Sequence, residues 1–206
     1  MMKKVIVLSF FLAVTSLSIS AQQLKSTGII VGAGGGHITS DLPSSLNGLT
    51  VDKSNSYLNR KAVLELGYRF RFEPRKTNFF YDIDLLGGYS KSDYAIHYNS
   101  TPNANYGGPE GDNYHLSVGV GATLNYKIVK GLSVGLGVQP MIYLWETSQK
   151  VFDIPIVAKI GYDFRYFELA FVYKQGLSKT YHVSDFRGSR LSNWQFSVYI
   201  PLSKRH

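Results

Sequence analysis

The chain has 206 residues, 22 Lys+Arg against 14 Asp+Glu, a formal charge of +8, and no Cys. The missing Cys excludes disulfides, thiolate metal sites, a cysteine nucleophile and a lipid-anchored N-terminal Cys. The basic balance does not read as a nucleic-acid binder, because no basic helix, no run of five like charges and no zinc-ligand spacing accompanies it.

The N-terminus has the physics of an export signal. Met1-Met2-Lys3-Lys4 is a basic start, Val5 to Leu17 is a short apolar stretch, and Ser18-Ile19-Ser20-Ala21 supplies small residues for cleavage after Ala21. Residues 1–21 are therefore read as a signal peptide and 22–206 as one domain. Losing Lys3 and Lys4 lowers the formal charge from +8 to +6.

Alternation with a period of two, the mark of strands with two different faces, runs through the rest. Eight strands are predicted. The first, near Ser26–His37, sets Ile29, Val31 and Ala33 on one face. The second, Lys61–Phe72, sets Leu64, Leu66, Tyr68, Phe70 and Phe72 against Glu65, Gly67, Arg69 and Arg71. The third is Asn78–Ser90 and the fourth Tyr114–Ile128. The fifth, Leu132–Trp145, and the sixth, Val151–Phe164, carry Pro140 and Pro155, where bulges or early ends are expected because proline removes a ladder donor. The seventh is Tyr166–Gln175, and the eighth is Ser192–Leu202, with Pro201 near its end.

Most of these segments run ten to fourteen residues, enough for a tilted strand to cross a bilayer, which takes about 9–11. Connections alternate between long polar ones (38–60, 91–113, 176–191) and short ones (73–77, 129–131, 164–166), as in outer-membrane barrels. No later stretch is long and apolar enough for a transmembrane helix. The fold class is all-β, an eight-stranded antiparallel up-and-down transmembrane β-barrel with both termini periplasmic. An eight-stranded interior is only just wide enough for side chains, so the large apolar face points outward and the Gly- and Ser-rich face inward. Aromatics near strand ends (Tyr68, Phe70, Phe72, Phe79, Tyr81, Tyr89, Tyr126, Trp145, Tyr162, Phe164, Phe167 and Trp194) read as interfacial girdles.

The inward face then collects Glu65, Arg69, Arg71, Asp82, Asp84, Lys127, Asp153, Lys159, Asp163, Glu168 and Lys174. Near-cancellation of sign predicts mutual pairing and a plugged lumen, since unpaired buried charge is costly. The tight second–third connection should bring Arg69 and Arg71 to Asp82 and Asp84.

Three features together carry a family resemblance: the export signal running into Ser20-Ala21-Gln22-Gln23, the glycine-rich first strand Gly32-Ala33-Gly34-Gly35-Gly36, and segments such as Leu64-Glu65-Leu66-Gly67-Tyr68-Arg69-Phe70. On them the chain resembles the PorT-like outer-membrane β-barrel family of Bacteroidetes. The resemblance implies an integral barrel in the outer membrane of a Gram-negative bacterium, with one branch of the family assisting protein secretion.

Candidate chemistry is sparse. The glycine run lacks the helix a dinucleotide loop requires. His115 and Ser117 share a strand face, and Glu110 and Asp112 are near in sequence, the ingredients of a lipid hydrolase in which imidazole activates a hydroxyl. Two polar residues at a strand start is the stronger reading. His37, His97, His115, His182 and His206 show no metal spacing. The loops offer Tyr94, His97, Tyr98 and Tyr106 in one group, and Lys179, Tyr181, His182, Arg187 and Arg190 in another, residue types suited to anionic sugars or protein partners.

The expectation is a non-enzymatic monomer without cofactor or metal. Its role is structural or interaction-based, and it contacts outer-membrane lipid, lipopolysaccharide and an extracellular or secretion-system protein. The alternative is an accessory of secretion or of small-solute transport.

Overall fold

The computed structural model describes residues 22–42, 44–46, 49–74, 77–99, 107–145, 150–179, 181–183 and 186–204. The expected signal peptide, residues 1–21, lies outside them. The long strands are β1 (Gln22–Asp41), β4 (Tyr57–Pro74), β5 (Phe79–Asn99), β6 (Gly107–Val129) and β13 (Phe186–Lys204). β7 (Leu132–Val138) and β8 (Met141–Trp145) form one stave, β9 (Lys150–Asp153) and β10 (Ile156–Asp163) the next, and β11 (Glu168–Gln175) a third. Short β2 (Ser45–Leu46) and β3 (Leu49–Val51) attach to β5, and β12 (Tyr181–Val183) pairs with β13.

Antiparallel neighbours run β1–β4–β5–β6, then β7 and β8, then β10 and β9, then β11 and β13. The circuit closes because β1 also pairs with β13, from Ser26↔Lys204 to Asp41↔Arg187. Among the described residues this is a ring of eight staves joined in sequence order, an up-and-down barrel. Through the middle of the ring, where β10 pairs with both β7 and β11, closure leaves no free sheet edge among the described residues, which is the condition for a β structure to sit in hydrocarbon.

The outward face is apolar where the sequence reading placed it. Leu64, Leu66, Leu85, Leu116, Val118, Leu136, Ile160 and Phe196 are all exposed, while Arg69, Asp82, Lys159 and Glu168 beside them in the alternation are buried. Aromatic contacts bound this band. At the short-turn end Phe79 meets Tyr126 at 4.9 Å, and Phe164 meets Tyr162 and Phe167 at 4.8 Å each. At the other end Tyr89 stacks on Tyr114 at 6.2 Å. From Phe79 to Tyr89 the strand advances roughly 33 Å. At a tilt of about 40° that is about 25 Å of height, the thickness of an outer-membrane apolar band.

Above Tyr89 and Tyr114 the polarity of the faces inverts. Outward residues become an ionic ladder: Lys61 pairs with Asp93 at 3.0 Å and Lys91 with Asp112 at 2.8 Å. Inward residues there include Ile38, Val51, Leu58, Ile96 and Leu191, in an apolar cluster that reaches down to Tyr143 and Met141 opposite Ser117 and Gly119. The barrel is thus polar inside and apolar outside within the bilayer span, and the reverse beyond it. The solvent on each side explains both halves.

The inversion also explains why strand ends were underestimated. Residues 38–41, 57–60, 91–99, 107–113 and 186–191 were expected in loops and are strand. Outside the bilayer the apolar-out pattern disappears, so the ladder continues without its sequence signature.

At Pro140 and Pro155 the strands end early, at Val138 and Asp153, the second of the two expected outcomes. Ala122↔Val138 and Gly119↔Met141 keep one spacing across Pro140, and Val138↔Ile156 and Met141↔Asp153 keep one spacing across Pro155. The staves are interrupted there without a bulge. The prolines lose only their own donors, while their carbonyls accept from Val120 N at 3.0 Å and Gln139 N at 2.9 Å. A register shift does occur beside Pro201, between Thr27 and Gly28 on β1.

Candidate functional site

The lumen is built in layers. Nearest the short turns lies an ionic cluster that begins as cross-strand pairs. The β4–β5 register sets Arg69 opposite Asp84 and Arg71 opposite Asp82. Arg69 Nε and Nη2 donate to Asp84 at 2.7 and 2.8 Å, and Arg71 Nε and Nη2 donate to Asp82 at 2.7 and 2.9 Å. Such forked pairs are the strong form of ion pairing.

Two residues from the far side of the ring complete the cluster. Glu168 on β11 accepts from Arg69 at 3.0 Å, and lies 2.7 Å from Arg71 and 2.9 Å from Lys159. Lys159 on β10 donates to Asp82 at 2.8 Å, and Asn125 donates to the same carboxylate at 3.2 Å. Three cations meet three carboxylates, all buried. Phe80 and Tyr199 cover them toward the short-turn mouth, with the Arg71 guanidinium 4.5 and 5.0 Å from the two rings.

The next layer joins Glu65 to Lys174 at 2.5 Å and to Gln195 at 2.8 Å. Glu65 stands on β4 and Gln195 on β13, with β1 between them. The bridge passes over Gly32, where a Cβ would come within 2.8 Å of Gln195 Nε2. Gly32, the first glycine of the run, is therefore room for a polar bridge between the strands on either side, while Gly34 and Gly36 face the β13 backbone too closely for a Cβ.

Above it, Arg60 donates to Ser90 Oγ at 2.6 Å and its Nη2 lies 3.1 Å from His115 Nε2. His115 also meets the Tyr143 ring edge-on at 5.4 Å. Arg60 is absent from the expected lumen set, and its neighbour explains why. Counting back from Glu65 by twos puts Lys61 inside and Arg60 outside. A register shift between Arg60 and Ala62 swaps them, so that Arg60 is 5% exposed while the Lys61 side chain is 59% exposed. A bulge adds one residue and flips every side chain beyond it. Nothing in the residue types marks that position.

Not every residue expected in the charge network joins it. Lys127 is half-exposed at the mouth and pairs with Glu73. Asp163 is exposed there. Asp153 is buried, but its Oδ1 accepts from the backbone N–H groups of Ile154, Leu177 and Ser178 at 2.8, 3.1 and 2.8 Å. It anchors the segment after β11, where backbone donors were nearer than any lumen cation.

The loop candidates also separate. Tyr94 and Tyr98 lie on β5 and pack against the apolar outer cluster instead of standing free in a loop. The His97 backbone holds the turn before β4, its carbonyl accepting from Asp52 N at 2.8 Å and its N–H donating to Ser56 Oγ at 2.9 Å. Lys179 and Arg190 are exposed. Tyr181, His182 and Arg187 lie on β12 and β13, with Arg187 opposite Asp41. Tyr106 lies outside the described residues. In the hydrolase constellation, Ser117 packs against Gly88, while Glu110 and Asp112 are exposed on the outside of the barrel, Asp112 tied to Lys91. Among the described residues no group of three or more His, Asp or Glu is arranged to hold a metal ion.

A closed ring, an apolar outer band about 25 Å tall and a charge-filled interior define a transmembrane β-barrel. Among solved structures the chain is similar to Ail, the attachment invasion locus protein of Yersinia pestis, in complex with the heparin analogue sucrose octasulfate. Identity is 13% over 87% of this chain and 100% of that one, with a TM-score of 0.41. It is similar to Neisserial surface protein A at 13% identity over 84% and 96%, TM-score 0.38. It is similar to the outer membrane protease OmpT of Escherichia coli at 10% identity over 87% and 93%, TM-score 0.25. No protein-family model and no curated protein matches the sequence.

Proposed function

We propose that this protein is a monomeric outer-membrane barrel of the PorT-like kind, exported with cleavage after Ala21, whose lumen is closed and whose role is structural or interaction-based at the cell surface. The observation that carries this reading is the filled lumen. An ionic cluster of balanced sign, the Glu65–Lys174–Gln195 layer, the Arg60–His115 layer and an apolar cap follow one another along the axis. A conducting pore keeps a watery lining, often of one sign. Here the charges of the first two layers pair with one another and Arg60 is held by Ser90 and His115, which is the arrangement that makes burial of such groups tolerable.

Surface interaction then belongs to the part of the barrel above the bilayer, where Lys179 and Arg190 are exposed and suit anionic sugars or lipopolysaccharide. Recording in planar bilayers tests the closed lumen. The expected result is no steady conductance, and a stable nanosiemens-scale open level would overturn the reading.

The role is read as non-catalytic. A His–Ser pair works as base and nucleophile only with a carboxylate to orient the imidazole and a substrate within reach. Here both residues face the lumen beneath the apolar cap and the two candidate acids face outward. Mass analysis of lipid A from strains carrying wild-type or Ser117→Ala protein is expected to show no difference, and a modification dependent on Ser117 would reinstate the enzyme. Accessory work in secretion is the second reading, favoured by a cavity open toward the periplasm at the short-turn mouth. A secretion defect in a deletion strain would select it.

A further inference from the structure

At the short-turn mouth the lumen opens into a cavity of about 520 Å³. Phe80, Tyr199, Arg71 and Glu168 line its inner part, and Lys25, Lys127 and Lys130 are among the residues around its opening. Arg71 and Glu168 are engaged in the ionic cluster, so the floor is a neutral, aromatic-covered surface. The opening is different. Among the described residues at this end, the cations Lys25, Lys127, Lys130 and Arg165 outnumber the acids Glu73 and Asp163, and Glu73 is tied to Lys127.

Two of these lysines are placed by local geometry. Strict alternation would send Lys25 to the lipid face, but a register shift between Leu24 and Ser26 lies there and Lys25 lines the cavity. Lys130 occupies the two-residue turn between β6 and β7, which Gly131 closes at φ 88°. Both are exposed.

We propose that this vestibule docks an acidic peptide segment of a periplasmic protein. The inference rests on the outer-membrane reading above, which makes the short-turn end periplasmic. The cavity opens along the barrel axis, away from the lipid, and its volume lies in the range of ordinary ligand pockets. Its opening carries an excess of positive charge, and charges lining a concave low-dielectric mouth focus their field on what enters. Carboxylates on a flexible chain match that charge. The aromatic floor gives the segment a surface to rest on.

The test uses the full mature barrel in nanodiscs of zwitterionic lipid and a fluorescein-labelled hexaglutamate peptide, read by fluorescence anisotropy. Saturable binding is expected, weakening as salt rises from about 50 to about 200 mM because exposed charges are screened. Hexaglutamine and hexalysine should not bind. Lys25→Gln/Lys130→Gln removes two exposed cations and should weaken binding about tenfold, whereas Lys53→Gln/Lys61→Gln at the opposite end should leave it unchanged. Folding of each variant is checked by heat-modifiable gel mobility.

Binding insensitive to salt, equal affinity in the Lys25/Lys130 variant, or an equal loss in the Lys53/Lys61 variant would overturn the proposal. So would full competition by inorganic phosphate at millimolar concentration, which would reveal a small-anion site. None of these outcomes bears on conductance, so the proposal and the closed-lumen reading fail separately.

Discussion

Gln195 Nε2 donates to Glu65 Oε2 at 2.8 Å across the full width of β1, over Gly32, and the same carboxylate oxygen takes Lys174 from the other side. Removing one partner of a buried ion pair leaves an uncompensated charge, so Lys174→Met is expected to cost about 3–5 kcal/mol. Gln195→Leu, which removes one hydrogen bond to a charged group, should cost about 1.5–3 kcal/mol. The Glu65→Gln/Lys174→Met double variant should be less destabilised than Lys174→Met alone. Urea unfolding in lipid vesicles, followed by tryptophan fluorescence, reads all three.

The Arg60–Lys61 inversion can be tested chemically, because the chain has no Cys of its own. With single cysteines introduced into the bilayer-embedded protein, Lys61→Cys should react readily with a water-soluble maleimide and Arg60→Cys should be protected. Labelling in the opposite order would place the register shift elsewhere.

Leu85 lies near mid-height of the outer band between Phe79 and Tyr89 and is 49% exposed. In water, Leu85→Arg would be nearly neutral. In hydrocarbon, an arginine near the midplane of a barrel strand costs about 2–4 kcal/mol. A loss of that size in lipid vesicles is expected, and a neutral result would remove the band from the membrane.

The seam between β1 and β13 leaves no room at Gly34, where a Cβ would lie 1.9 Å from the Trp194 carbonyl oxygen. Gly34→Ala must shift backbone and is expected to cost more than about 2 kcal/mol. Gly87→Ala is the comparison, since a Cβ there meets nothing nearer than 3.9 Å. Its effect should stay within about 0.5 kcal/mol.

Asp52 lies in the exposed turn before β4, where hydrogen bonds from the Ser54 and Asn55 side chains lower its pKa to about 2. A depressed carboxylate pKa stabilises the turn above the ordinary aspartate range, and the contribution is lost as pH falls through about 2. NMR titration should find the midpoint there. Ser54→Ala, which removes the largest cause, should move it up toward the ordinary value.

Much of the barrel was legible in the sequence wherever bilayer and lumen gave the two faces opposite chemistry. Leu64, Leu66, Ile83, Leu85, Val118 and Phe196 announced the outer face by period alone. Arg69, Arg71, Asp82 and Asp84 announced the inner one, and the short second–third connection fixed their register closely enough to bring them together. The outer extension was not legible, because above Tyr89 and Tyr114 water replaces lipid and the same strands carry Lys61, Lys91 and Asp112 outward.

The sequence by itself determined the class of structure and which strand face is apolar through the middle of the barrel, because these depend on period and composition. Tertiary structure alone decided which charges meet. Glu168 and Lys159 reach β4 and β5 only because the ring closes. Gln195 reaches Glu65 only because Gly32 leaves space over β1. Arg60 points inward only because one extra residue at a bulge reverses the face of everything beyond it. Each is a consequence of closure or register, set by backbone hydrogen bonds between distant strands and left unmarked by the local order of residues.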